Sequence, residues 1–239
     1  MQVLQQPKKI LILGGGDGCA ARELLKYKTT EKITLVDLDK KLTDLFINEP
    51  ILASINKNAL TDNKLIIINK DGFTFLEETN DFYDLIIIDL PDPRNVELSR
   101  LYSKEFYELC NIKLTPNGGI ITQAGSPYYT PYAYQCIKKT MDSANFTTIA
   151  LHNQILTMGE WGWIAGIKRK ISKEEINKSL LKFNNAKIAT KWLNKESMHL
   201  ITSFGKNFYD KNTIDSIKVN QISNPVLYHY YNKGNWDTY

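Results

Sequence analysis

The sequence predicts an α/β fold, a doubly wound sheet of seven mostly parallel strands with helices on both faces. Three observations predict it. Short apolar runs alternate with helix-forming stretches through the first 168 residues. Some of these runs, YDLIII at residues 83–88 above all, which is apolar at every position after Asp84, read as strands covered on both faces. A glycine cluster, Gly14-Gly15-Gly16-Asp17-Gly18, stands between the first apolar run and the first helical stretch, where open parallel sheets bind ligands.

Taken in order, residues 9–13 form a short first strand ending in glycines, and 19–27 carry good helix formers. Residues 32–36, with β-branched side chains, form the second strand and end at Asp37. Residues 42–60 read as helical with a break near Pro50. The third strand is 65–68, a short helix follows at 73–78, and the fourth strand is 83–88. A proline-containing loop at 89–94 leads to a helix at 103–114. Pro116-Asn117-Gly118-Gly119 reads as a turn, 120–123 as the fifth strand and 132–144 as a helix. The sixth and seventh strands, 146–151 and 161–167, have no helical stretch between them and form a hairpin, so one strand runs antiparallel. Residues 1–170 make one domain. Residues 171–239, rich in Asn and Lys, form an appendage packed on it, with a helix at 173–183 and an apolar stretch at 198–204.

Composition narrows the function. With 43% hydrophobic and 23% charged residues, the 239-residue chain is an ordinary globular one. The net charge of +4 comes from scattered lysines. The only tight basic run, Lys168-Arg169-Lys170, reads as a solvated strand end, so no nucleic-acid partner is expected. Cys19, Cys110 and Cys136 are odd in number and widely spaced, which suggests neither a disulfide framework nor a metal site and fits a reducing compartment. Residues 1–9 are polar and no apolar run approaches the roughly 20 residues of a membrane helix. A cytoplasmic location is therefore expected.

The chemistry is concentrated at the predicted strand ends. A dinucleotide fingerprint would place a third glycine at Cys19, and a P-loop would need a Gly-Lys-Ser/Thr that is absent. Asp17 would repel a pyrophosphate and suits a cationic ligand. A tight strand-to-helix turn is the plainer reading of the glycines. Asp37, about 20 residues on, is placed to accept hydrogen bonds from a ribose diol, with Leu38 beside it. Asp39 reads as a helix cap or a solvated residue. Asp71-Gly72 ends the third strand, where a carboxylate can either receive the exocyclic amine of adenine or cap the following helix. Gly14, Gly16, Asp17, Gly18, Asp37, Leu38, Asp71 and Gly72 together describe an adenosine crevice. Asp89-Leu90-Pro91-Asp92-Pro93 sets two carboxylates at the same edge. Read functionally, they clamp an amine: free alkylamines have a pKa near ~10, so an attacking amine needs a proton acceptor in reach. The alternative is a turn with capping aspartates.

The strings LILGGGDGCAARELL, VDLD, NKDGF, YDLIIIDLPDP, LYSKEFY, NGGIITQAGSPYYTP and GEWGWIAG resemble the spermidine synthase family over residues 8–168. The stretch 217–234, IKVNQISNPVLYHYYNKG, resembles a branch whose catalytic domain follows an N-terminal membrane domain. The resemblance implies a Rossmann-like, S-adenosylmethionine-dependent methyltransferase fold. It implies decarboxylated S-adenosylmethionine as co-substrate, no permanently bound cofactor, and a polyamine acceptor such as putrescine. Asp17 would then face the aminopropyl end, Asp37 the ribose, and Asp71 with Gly72 the adenine. Asp89 would accept the proton and also border the nucleoside, and Asp92 would hold the acceptor amine. Asp17, Asp89, Asp92 and Glu160 would make the pocket negative, while Tyr102, Tyr128, Tyr129, Gln123 and Trp161 would line it. A homodimer is expected by the same resemblance.

The chain departs from the family pattern in four places. Only residues 1–12 precede Leu13 where the family has a β-rich domain roofing the pocket, so a separate subunit, a membrane domain or the C-terminal tail is expected to supply the roof. Leu90 and Pro91 replace small hydroxyl residues. Leu156-Thr157-Met158 stands where the family has Tyr-Pro-Ser, and Val96 where it has a pocket proline. His152 is expected to be a packing residue, and Cys19 a small residue facing its helix. A methyltransferase on the same fold, which would not need Asp89 and Asp92, and an inactive adenosyl-binding homologue are the alternative functions.

Overall fold

Central strand β1 (Lys9–Gly14) pairs in parallel with β2 (Lys32–Val36) on one side and β4 (Tyr83–Asp89) on the other in the computed structural model, which describes residues 1, 3–4, 6–157, 159–183, 187–206, 208 and 210–235. With β3 (Leu65–Ile68), β5 (Leu114–Gly125), β6 (Thr147–Ile155) and β7 (Gly159–Ile167), they form one seven-stranded sheet of order β3-β2-β1-β4-β5-β7-β6. β7 is antiparallel to both β5 and β6, and every other pairing is parallel. The chain winds outward from β1 to β3, then returns to place β4 on β1's other edge. That reversal opens a crevice at the carboxyl ends of β1 and β4.

The alternation of side chains explains the apolar runs. Leu11, Leu13, Val36, Ile86 and Ile88 belong to one buried cluster, and Ile10, Ile12, Ile33, Leu35 and Leu85 to another. Successive residues of a strand point to opposite faces, so strands that are buried on both sides must be apolar at nearly every position. Helices α4 (Gly72–Glu78), α6 (Lys104–Lys113) and α7 (Pro131–Ser143) contribute Phe73, Phe106 and Ile137 to the first cluster. Helix α1 (Cys19–Leu25) contributes Ala21 and Leu24 to the second.

Several boundaries differ from expectation. The helical stretch at 42–60 breaks at Pro50 as expected, between α2 (Lys40–Asn48) and α3 (Pro50–Ile55), but begins two residues earlier and ends in a separate 3-10 turn at Ala59–Thr61. Pro50 begins α3, where its missing N–H costs nothing, and Asp39 caps α2 through the amides of Lys41 and Leu42. The predicted turn at 116–119 is absorbed into β5, whose pairing with β4 shifts register between Tyr83 and Leu85. Gly119 is needed there because a Cβ would come within 2.8 Å of the Gly166 carbonyl. Strands β6 and β7 are longer than expected at their shared end. β7 pairs with β6 from Ile167 to Gly159 but with β5 only as far as Gly162, so the hairpin tip projects past the sheet. Lys168 is not simply solvated: its ammonium holds the carbonyls of Asn111 and Leu114 at 2.7 and 2.8 Å.

The C-terminal residues serve both faces. Ile176 and Leu180 of α8 (Lys173–Leu180) and Met198 of α9 (Lys195–Leu200) join the second cluster. After α10 (Lys211–Ser216), Ile217 joins the first, as do Leu227 and Tyr231 of α11 (Leu227–Asn232).

Candidate active site

The glycine loop is shaped by what lies against it. Gly14 ends β1 at φ +82°, and a Cβ there would lie 2.0 Å from the Asp89 carbonyl, so the loop closes onto the end of β4 only with glycine. Gly16 is as constrained: its amide donates to Asp37 Oδ2 at 2.9 Å, and a Cβ would meet that oxygen at 2.7 Å. The other Asp37 oxygen accepts the Asp39 amide at 2.8 Å. Asp17 accepts the Cys19 amide at 2.8 Å, so its side chain closes the turn into α1.

Gly14, Gly16, Asp17, Asp37 and Leu38 border a cleft of about 640 Å³ that Asp71 and Gly72 also line. Leu42, Phe46 and Leu101 give it apolar walls. Gly18 does not border this cleft. It is buried under Leu60 at φ +75° and serves the backbone turn. Asp71 caps α4 through the Thr74 amide at 3.0 Å, and its second oxygen meets Arg100 at 2.6 Å. Partial burial pushes the Asp71 carboxyl up, but the Thr74 amide and the Arg100 guanidinium outweigh it and hold the group below the usual aspartate range. The capping role of Asp71 is therefore realised, at the edge of the cleft.

A second cleft of about 560 Å³ shares Asp89, Pro91 and Leu98 with the first. Asp92, Gln123, Trp161 and Trp163 line it, with Arg94 and Ile155 at its sides. Asp89 thus lies where the two clefts meet. Withdrawal from bulk water, then the negative charges of Asp17 and Asp37, raise its carboxyl above the usual aspartate range. Such a shift is what a proton acceptor working near neutral pH requires.

Asp92 is held on both oxygens. Gln123 Nε2 donates to Oδ1 at 3.0 Å, and the Tyr231 hydroxyl donates to Oδ2 at 2.8 Å. The Arg94 guanidinium stands 3.6 Å from Oδ2. Tyr102, expected as a wall, is instead fully buried beneath the loop. Its hydroxyl is 3.2 Å from the Leu90 carbonyl, 3.1 Å from that of Pro91 and 2.8 Å from Gln123 Nε2, so it props the segment carrying both carboxylates.

Glu160 is not part of this constellation. Trp161 and Trp163 face the second cleft, and strand alternation turns Glu160 to the other face. There it pairs with His152 Nδ1 at 2.7 Å, beside Tyr128, in a separate cleft. His152 also meets the Ser203 carbonyl at 2.6 Å, the satisfied packing residue expected of it. Tyr129 packs edge-on to Tyr128, its ring 3.3 Å from where a Gly159 Cβ would be. At the hairpin tip Leu156 is fully exposed, and Met158 lies outside the described residues. Val96 opens the short helix α5 (Val96–Ser99) and is half exposed. Cys19 is raised above the usual thiol range by desolvation and then by Asp17, so it is no activated thiol. Among the described residues no group of three or more His, Cys, Asp or Glu is placed to hold a metal ion.

Sequence reasoning missed Trp163, Arg94, Arg100 and Tyr231. Trp163 was within reach, since it shares Trp161's face by alternation. No local pattern pointed to Tyr231, which meets Asp92 across 139 positions of sequence.

Residues 1–179 match the family described as the spermine/spermidine synthase domain. A polyamine aminopropyltransferase of Oceanobacillus iheyensis is 38% identical over 239 residues, covering all of this chain and 45% of that protein. One of Leptospira interrogans is 36% identical over 228 residues, covering 95% of this chain and 43% of that protein. The chain thus spans less than half the length of these relatives. The crystal structure of a spermidine synthase from Thermotoga maritima superposes with a TM-score of 0.74 over 89% of this chain and 70% of that one, at 23% identity, a likeness of fold.

Proposed function

The chain belongs to the spermine/spermidine synthase domain family, and from that premise we propose that it transfers an aminopropyl group from decarboxylated S-adenosylmethionine to putrescine or a similar diamine. The observation that carries this reading is the meeting of two clefts at Asp89, with Asp92 alongside. The larger cleft takes the adenosyl part: Asp37 receives the ribose hydroxyls, and the Asp71–Gly72 end receives the adenine. Asp17 faces the cationic chain of the donor. The second cleft takes the diamine, its methylenes against Trp161 and Trp163 and its far ammonium on Asp92.

The reaction is a displacement at the carbon bonded to sulfonium. The amine nitrogen forms the new C–N bond while the C–S pair returns to sulfur, giving a neutral thioether. The nitrogen's extra proton passes to the Asp89 carboxylate. The products are spermidine and methylthioadenosine. Asp89 suits this step because its raised proton affinity narrows the gap to the amine. Holding both reactants at one junction supplies the rest, by orientation.

A methyltransferase would use the first cleft alone and leave the Asp89–Asp92 pair without a task. Similarity of residues 217–234 to the membrane-fused branch supports a place there, with the pocket roof supplied by a membrane domain, a separate subunit or the C-terminal tail. No described helix is long and apolar enough to cross a membrane. A homodimer, on the family resemblance, and a cytoplasmic site of action, on the three free cysteines Cys19, Cys110 and Cys136, complete the reading.

Incubation of the protein with putrescine and either decarboxylated or ordinary S-adenosylmethionine tests it. Spermidine and methylthioadenosine from the decarboxylated donor alone are expected. S-adenosylhomocysteine from the ordinary donor would overturn the reading in favour of methyl transfer.

A further inference from the structure

We infer that Tyr231, in the C-terminal helix beyond residues 1–179 that match the family model, is a positioning residue that fixes the Asp92 carboxylate for the acceptor amine. The inference rests on the reading of Asp92 as the diamine anchor and deepens it. Four observations carry it.

The Tyr231 hydroxyl donates to Asp92 Oδ2 at 2.8 Å, opposite the Gln123 bond to Oδ1, so the carboxylate is gripped from both sides. A carboxylate held this way keeps its rotamer when empty and presents its remaining lone pairs to the cleft, which lowers the ordering cost of binding an ammonium. The next residue, Asn232, donates its amide to the Arg94 carbonyl at 3.0 Å, so two consecutive residues of α11 hold both ends of the segment 92–94.

The placement of α11 is itself fixed from the site side. Asn220, with no exposure, donates to the carbonyls of Ser99 and Tyr102 and accepts from the Ser99 hydroxyl and the amides of Val226 and Leu227. It therefore ties the start of α11 to the turn that carries Tyr102, the residue propping Leu90 and Pro91. Finally, Tyr231 is 6% exposed and belongs to the first core cluster, so its ring is immobilised by packing and its hydroxyl reaches the loop from a rigid base. The phenol is pushed above the ordinary tyrosine range by burial and then by Asp92, so it remains a donor at any working pH.

Tyr231→Phe in the full chain tests this, because it removes one oxygen and keeps the ring. The expected result is a KM for putrescine raised about tenfold, the cost of one charge-assisted hydrogen bond. The KM for decarboxylated S-adenosylmethionine, the calorimetric affinity for methylthioadenosine and the circular-dichroism spectrum should stay unchanged. Asn232→Ala should raise the putrescine KM by a smaller factor, again without changing the donor's. An unchanged putrescine KM in Tyr231→Phe, or donor and acceptor KM rising together, would overturn the inference. Wild-type protein that fails to transfer to any diamine would overturn the functional reading, and this inference with it.

Discussion

Gln123 Nε2 stands 3.0 Å from Asp92 Oδ1 and 2.8 Å from the Tyr102 hydroxyl, so one side chain of β5 joins the proposed amine anchor to the prop beneath its loop. Gln123 is 8% exposed, and its own Oε1 accepts the Gly125 amide at 3.1 Å. Gln123→Leu is expected to cost about 1.5–3 kcal/mol of stability, the worth of a hydrogen bond to a charged group. Putrescine KM should rise about tenfold while methylthioadenosine affinity stays within about twofold. Urea unfolding and steady-state kinetics measure both.

Asp89→Asn should abolish turnover yet stabilise the protein at neutral pH. The folded carboxyl sits above its unfolded value, so the native state holds its proton to higher pH than the unfolded chain does. Wild-type stability therefore falls as pH rises through the interval between the two values, and it is undiminished below the unfolded one. The amide escapes this cost. Its Tm advantage should be present at pH 7 and vanish below about pH 4, where both aspartate forms are protonated. Thermal unfolding across that range provides the comparison.

Arg100→Ala should weaken methylthioadenosine binding about three- to tenfold, because Asp71 loses the guanidinium that fixes its second oxygen. The pair is partly exposed, so the stability loss should not exceed about 1 kcal/mol. Asp71 is depressed in the folded state, so its contribution is present above the ordinary aspartate range and disappears as pH falls through the folded value. The gap between wild type and variant should close on acidification. Calorimetry and pH-dependent unfolding would show both.

Arg94 is a cation on the wall of a cleft proposed to take a dication, 3.6 Å from the anchoring carboxylate and with a side chain 72% exposed. Arg94→Ala should lower the putrescine KM about two- to fivefold at low ionic strength, and the difference should shrink as salt shortens the screening length to below about 10 Å. A salt series of kcat/KM for both proteins tests it.

The sheet was legible because its evidence is local. Leu65–Ile68 and Lys32–Val36 fall where apolar and β-branched runs put them, and the hairpin follows from the missing helix between its strands. The glycine loop, Asp37 and Asp71 were legible because each ends a strand of a parallel sheet, and such ends share one edge. Glu160, which the resemblance puts among the pocket's negative charges, faces another cleft because alternation separates it from Trp161 on the strand. Tyr102 carried no sign that its hydroxyl points down into the loop's underside rather than into the cleft. Tyr231 and Asn220 lie in the stretch whose resemblance was legible, but their partners were not, because these are set by how α11 docks on α7 and α5, a long-range packing outcome.

The most direct test of the Asp89 junction is a crystal structure of the protein with methylthioadenosine and putrescine together. The purine is expected beside Asp71 and Gly72, the ribose on Asp37, and one putrescine nitrogen within about 3.2 Å of Asp89 with the other directed at Asp92. A nucleoside bound outside that cleft, or a diamine whose nitrogens reach neither carboxylate, would contradict that placement.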